Sequence, residues 1–262
     1  MVVSYQGTRY HGWQRQKHVD HTLQQTLEAA LSRIANEPVE VVCAGRTDAG
    51  VHASAQVVHF DTSARRNAQA WVSGTNHFLP DTLAVRWVGA VNSDFHARYG
   101  ARSRTYRYFI LNSRIRSALA ANNLTWFSPP LDETAMEQGG RFLLGEHDFS
   151  SFRDSECQSR TPFRNLMDLR VRRAGEVVMI QVQANAFLHH MVRNITGTLL
   201  DVGSGRRPPH WMAEVLDARQ RSAAGVTAPP DGLYFVAVDY PEMHGLPQFP
   251  PGPDFMGAAF PV

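Results

Sequence analysis

Apolar residues recur at helical spacing at Leu23, Leu27, Leu31 and Ile34, and Thr22 with Gln25 supplies a capping box to open that helix. Pro38 ends it. Ahead of it, residues 1–5 read as the end of a strand, followed by Gly7 and the loop Tyr10-His11-Gly12-Trp13-Gln14. Behind it, residues 39–43 and 56–60 read as two strands flanking the loop 44–53. A weaker helix follows over 68–78, stopping near Pro80, and then a strand over 83–91. The pattern begins again at 104–111, where arginines alternate with aromatics as in a strand with one polar and one packed face. A helix is predicted over 132–144 with Asp132 as N-cap, then strands over 165–173 and 176–185 joined at Ala174-Gly175. Helices over 188–202 and 209–218 precede a last strand over 233–240. From Pro241 onward proline and glycine dominate, as in a loose tail.

The order strand–helix–strand–strand–helix–strand therefore occurs twice, before and after about residue 97. That is the split βαβ order of ferredoxin-like units. The expected architecture is α+β: two such halves, residues 1–97 and 98–240, whose mainly antiparallel sheets join. Helices would cover one face and leave the other for a cleft, with residues 241–262 as the tail.

Composition narrows the function. An apolar fraction of 43% suits a globular protein, and no run approaches the ~20 apolar residues of a membrane span. The N-terminus lacks a signal pattern, so the cytoplasm is expected. Cys43 and Cys157 are the only cysteines, and both read as buried small residues. The net charge of +2 is uninformative, but its distribution is not. Lys17 is the single lysine among 26 basic residues. Between Phe95 and Leu131 no acid occurs, while Arg98, Arg102, Arg104, Arg107, Arg114 and Arg116 are interleaved with Tyr99, Tyr106, Tyr108 and Phe109. Guanidinium forks and aromatic platforms are the groups that hold phosphates and stacked bases, which points to RNA. The plainer reading is a solvated arginine face.

Candidate chemistry centres on Ala44-Gly45-Arg46-Thr47-Asp48-Ala49-Gly50-Val51-His52-Ala53. Gly45 and Gly50 permit a tight excursion that presents Arg46 and Asp48 together, and a neighbouring cation keeps a carboxylate ionised. By itself this is also compatible with a solvated ion pair in a hairpin loop. Arg193 lies near the start of its helix and off the apolar face formed by Met191, Ile195, Leu199 and Val202. His189 and His190 invite a metal reading, but neighbours on a helix point about 100° apart and so cannot both face one ion. With no HxxxH, no CxxC, no GxGxxG after a strand and no GxxxxGK[ST], neither a metal nor a nucleotide cofactor is expected.

The wording AGRTDAGVHA resembles the active-site loop of the tRNA pseudouridine synthase A (TruA) family. FHARY, TYRYFI, GEHDFSSF, CQSRTP, ANAFLHHMVRNI and GLYFVAVDYP extend the resemblance in order from Tyr5 to about Pro253. It differs in a shorter first strand and in the tail. The resemblance implies the two-half architecture above and the isomerisation of uridine to pseudouridine at uridines 38 to 40 of the tRNA anticodon stem-loop, without a cofactor, by a homodimer. It makes Asp48 the catalytic carboxylate, as nucleophile or as base on the ribose. Tyr106 becomes the tyrosine that stacks on the uracil and helps move a proton, Arg193 the cation that pairs with the carboxylate, and Leu233 an apolar wall of the base pocket. Arg46 fills the space left by the flipped base or holds that base. The implied tRNA contacts are Arg46, Arg66, Arg98, Arg114 and Phe127, the segment Phe95, His96, Ala97, Arg98 and Tyr99, and the segment Glu156, Cys157, Gln158, Ser159 and Arg160. The competing readings are an RNA-binding module or chaperone without chemistry, and a small-molecule hydrolase using a lone aspartate.

Overall fold

The computed structural model describes residues 1–260, which carry ten strands and five α-helices and divide into two compact units. The first comprises Met1–Arg104 and Tyr234–Val262, the second Thr105–Leu233. The fold is α+β, and most of the strand pairs are antiparallel.

In unit 1 the elements are β1 (Val2–Tyr5), α1 (Leu23–Ala35), β2 (Val42–Cys43), β3 (His52–His59), α2 (Ala68–Phe78), β4 (Leu83–Trp87) and most of β10 (Leu233–Asp239). The strands lie in the order β4-β1-β3, with β2 antiparallel to β3 and β10 parallel to it. The capping box of α1 is present: Thr22 Oγ1 accepts from Gln25 N at 3.4 Å and Thr22 N donates to Gln25 Oε1 at 3.2 Å. The helix stops before Pro38, at Asn36, which takes the left-handed cap conformation with φ 58°.

Strand β2 is shorter than its apolar run because Val41 N donates to the buried Glu28 carboxylate of α1 at 2.9 Å instead of joining the ladder. Gln24 Nε2 and the Arg15 guanidinium complete the ring of donors around Glu28, so this acid is a tether between helix and strand. Residues 249–260 pack against the rest of unit 1 more closely than a loose tail would. Arg86 stacks over Phe249 at 4.7 Å and reaches Asp254 at 3.4 Å, Gly252 lies against Ser54, and Phe260 is buried.

Unit 2 is entered by β5 (Ser103–Asn112) and holds β6 (Thr125–Phe127), α3 (Glu133–Arg141), β7 (Gly145–Asp148), β8 (Phe163–Ala174), β9 (Val177–Ala184), α4 (Met191–Gly203) and α5 (Trp211–Ala218). Its strand order is β5-β9-β8-β7, with β6 parallel to β5. Asp132 caps α3 by accepting from Ala135 N at 2.9 Å. Gly140 lets α3 settle on β8, since a Cβ there would stand 2.2 Å from Leu169 Cδ2.

Two expectations about this unit change. Strand β5 has no polar face: residues 105–111 are all buried, and Arg107, 2% exposed, turns inward to donate from Nε to Gln181 Oε1 at 2.9 Å. Helix α4 begins at Met191, three residues later than the apolar spacing suggests, because His190 takes a left-handed conformation with φ 58°.

Candidate active site

The loop between β2 and β3 is held from four sides within unit 1. Thr47 O accepts from Trp13 N at 2.9 Å, and Thr47 Oγ1 meets Tyr5 Oη at 2.8 Å. Gln56 Oε1 accepts from Gly45 N at 3.3 Å, and Gln56 Nε2 donates back to Gly45 O. Val51 N closes the turn onto Asp48 O at 3.2 Å, with Gly50 at φ +82°. Burial drives the Tyr5 hydroxyl far above its usual pKa, so it serves as a neutral hydrogen-bonding strut. Arg104 pins the other end, donating to Ala44 O through Nε at 3.3 Å and Nη2 at 3.1 Å.

The approach of the neighbouring chain is as close as backbone permits. A Cβ on Gly7 would lie 2.0 Å from Val51 O, and one on Gly12 would lie 2.9 Å from Thr47 O and 3.3 Å from the Asp48 carbonyl carbon. The half-buried Asp48 is thereby fixed between the exposed Arg46 and Ala49. Cys43, at the loop's entrance, is buried, and burial pushes its thiol up to about 12 against the pull of Arg46. It is inert, as a buried small residue should be.

The other site candidates lie in unit 2 or at its last residue. Tyr106 is buried in β5, with its ring edge-on to Phe187 at 5.0 Å. Arg193 is half-buried in the first turn of α4, where Nε donates to Ala228 O at 2.8 Å and its own carbonyl accepts from Ala228 N at 3.1 Å. Burial raises the pKa of the nearby Tyr108 hydroxyl far above its usual range; that hydroxyl donates to Pro229 O at 2.7 Å. Leu233 is buried beside Gly232, whose carbonyl accepts from Phe109 N at 2.8 Å.

The expected RNA-contacting residues are mostly displayed. Arg46, Arg66, Arg98, Arg114 and Arg160 are exposed. Phe127 is half-buried at the end of β6. The segment Phe95–Tyr99 is anchored by buried groups: Tyr240 Oη donates to Ala97 O at 2.6 Å, and Ala97 N donates to His59 Nδ1 at 3.1 Å. His96 Nδ1 accepts from both Arg98 N and Tyr99 N at 3.1 Å, while its ring packs against Tyr99 at 4.4 Å. The result is a rigid backbone presenting Arg98 over a Tyr99 ring that is 77% exposed. Phe95 and Ala97, by contrast, are buried and shape the segment from within.

In the second segment, Arg153 Nη2 donates to both Cys157 O and Ser159 O at 2.8 Å, leaving Glu156 and Gln158 partly or fully at the surface. Cys157 departs from the sequence reading: it is half-buried, and its thiol is more acidic than usual. Burial opposes this, but donors from His189 N and Ser159 N and the Arg153 guanidinium outweigh it.

Sequence reasoning missed the framework residues Tyr5, Gln56 and Arg104, for which only their neighbourhood in the fold gives a signal. It also misjudged His189 and His190. They precede α4 instead of lying on it, so the 100° separation does not apply; their rings stack 3.9 Å apart and both face Asp154.

A family model described as tRNA pseudouridine synthase matches residues 1–100 and 141–241 of the chain. Among curated proteins, the tRNA pseudouridine synthase A of Pseudoalteromonas atlantica is 54% identical over 258 residues, 98% of each chain. That of Tolumonas auensis is 53% identical over 256 residues, again 98% of each. That of Pectobacterium atrosepticum is 55% identical over 254 residues, 97% of this chain and 89% of its own. Among solved structures, a Cbf5–Nop10–Gar1 complex overlaps 90% of this chain and 57% of its own at 10% identity and a TM-score of 0.35. With a loop built to hold one carboxylate and identity above half along nearly the whole length, the chain belongs to the tRNA pseudouridine synthase family and is an isomerase of uridine in tRNA.

Proposed function

We propose that Asp48 is the residue that reacts, and that the substrate uridines are those at positions 38 to 40 of the tRNA anticodon stem-loop. The observation that carries this reading is the loop itself. Four separate strands of evidence for rigidity converge on one partly exposed carboxylate: the Tyr5–Thr47 and Gln56–Gly45 hydrogen bonds, the Trp13 amide and the glycine contacts. Solvated loop acids need no such support.

The reaction breaks the bond from the ribose to N1 of uracil, turns the base and rejoins the ribose to C5. Nothing is oxidised or reduced, so one carboxylate with a base pocket suffices. Asp48 serves either as the nucleophile that holds the sugar or as the base that draws a ribose proton. Tyr106 and Leu233 form the pocket for the flipped uracil, and Arg193 holds the carboxylate's orientation. Arg46, beside Asp48, occupies the space the base leaves. Phosphates are met by Arg66, Arg98, Arg114 and Arg160, with Phe127 and Tyr99 as stacking surfaces. The finer architecture belongs to the same reading. The antiparallel order β4-β1-β3-β2 of unit 1 is that of a ferredoxin-like half, with unit 2 as its repeat. The enzyme acts in the cytoplasm as a homodimer.

Incubation with unmodified tRNA transcripts, followed by base-resolved detection of pseudouridine, tests the assignment. Wild type converts uridines 38 to 40, whereas Asp48→Asn binds the same tRNA within a few fold and converts none, since affinity rests on many phosphate contacts and turnover on one group. Substantial turnover by Asp48→Asn would remove Asp48 from the chemistry.

A further inference from the structure

The turn before α4 carries a cluster to which the reading above gives no role. His189 and His190 stack with their planes 27° apart, and both present Nδ1 to the carboxylate of Asp154. Asp154 Oδ2 lies 2.8 Å from His190 Nδ1, and Oδ1 lies 3.4 Å from His189 Nδ1. A carboxylate accepts and does not donate, so His190 Nδ1 carries the proton of that bond. The main chain repeats the link, since Asp154 N donates to His189 O at 3.1 Å and His189 N donates to Cys157 Sγ at 3.4 Å.

His190 is the N-cap of α4, but it is left-handed and makes no side-chain cap. A non-glycine residue keeps that conformation only where its surroundings fix it, and here Asp154 grips the turn by side chain and main chain. His190 O accepts the first helical bond, from Asn194 N at 2.9 Å. The set of that peptide therefore fixes the rotation at which α4 starts, and Arg193 stands in its first turn. The same carboxylate also orders the segment on its other side, where Glu156 N donates to Asp154 Oδ1 at 2.9 Å.

We propose that Asp154 is a positioning residue for the isomerisation: by holding the His189–His190 turn it sets the angle at which Arg193 leaves α4. This rests on the assignment of the chemistry to Asp48 and Arg193. A mere buttress would cost folded protein; a positioning residue costs rate.

Single-turnover pseudouridine formation at saturating tRNA transcript separates the two, because lost protein lowers the amplitude and a misplaced Arg193 lowers the rate constant. Asp154→Ala is expected to slow the step about tenfold or more. Asp154→Asn, isosteric but uncharged, falls between Asp154→Ala and wild type. The dissociation constant for tRNA stays within about twofold in both. Rate constants equal to wild type in both variants would overturn the proposal, as would weakened tRNA binding with an unchanged rate. Should Asp154→Ala not fold, Asp154→Asn at the wild-type rate overturns it alone. Asp48→Asn runs alongside: turnover by that variant would defeat the underlying assignment without bearing on the order of the Asp154 series.

Discussion

Gly12 offers a direct measure of how tightly the carboxylate proposed to react must be held. Its φ of +84° is costly for any residue with a side chain, by roughly 1–2 kcal/mol. A Cβ there would also stand 2.9 Å from Thr47 O, 3.2 Å from Ala49 N and 3.3 Å from the Asp48 carbonyl carbon. All three are backbone atoms, so no flexible side chain can swing away. Thr47 must retreat by about half an ångström before ordinary contact distances return, and Asp48 goes with it. A misplacement of about 1 Å at a reacting group costs on the order of 10²-fold, so about tenfold is expected here. Gly175 is the control. It has φ +59° at the turn between β8 and β9, and a Cβ there meets nothing within 4 Å. Gly175→Ala should thus lose stability in urea denaturation from its positive φ alone, and Gly12→Ala at least as much, whereas only Gly12→Ala slows single-turnover isomerisation, with tRNA affinity within about twofold. Full turnover by Gly12→Ala, or equal slowing by Gly175→Ala, would refute the claim that loop placement limits the rate.

Replacing the exposed Arg98 and Arg114 together should weaken tRNA binding and flatten its salt dependence, each lost phosphate contact reducing the log–log slope by roughly 0.7–0.9; an unchanged slope places the RNA elsewhere. His59 makes unit 1 sensitive to acid. Burial, and then His96, lower its pKa against the pull of Asp61, so the folded form binds a proton less readily than the unfolded chain. The stabilisation is present above the unfolded value of about 6.5 and is lost as pH falls below it. The urea midpoint should drop between pH 7 and pH 5, and less steeply in His59→Gln; equal slopes would exonerate His59.

What the sequence makes legible follows from how local each cause is. Helix α1 is predictable because its capping box and apolar spacing lie within one stretch, and the structure keeps both. Strand β7, Gly-Glu-His-Asp, has no apolar alternation at all and is a strand only through its ladder with β8. Strand β6 likewise exists through its parallel pairing with β5. The start of α4 defeats periodicity for a related reason: Leu188 continues the apolar spacing, but the chain reverses at His190, held by an aspartate 36 residues away.

Counting charges meets the same limit. The acid-free run between Phe95 and Leu131 contains arginines of quite different standing. Arg98 and Arg114 face solvent, Arg104 braces Ala44 O and Ala101 O, and Arg107 is buried against Gln181. Burial lowers the pKa of Arg107, and Arg172 lowers it further, which marks it as a cation the strand encloses and not one displayed to a phosphate. A motif can therefore nominate Asp48, because this carboxylate and its neighbours are contiguous in the chain. It cannot nominate what aims that group: Gly7, Gly12, Tyr5, Gln56 and Arg104 converge on the loop from elements before and after it. Variants at those positions should alter rate more than affinity, and variants of the displayed arginines affinity more than rate. That division follows from position, since the first group touches the loop's backbone or its Thr47 side chain, whereas Arg66, Arg98, Arg114 and Arg160 lie outside the loop.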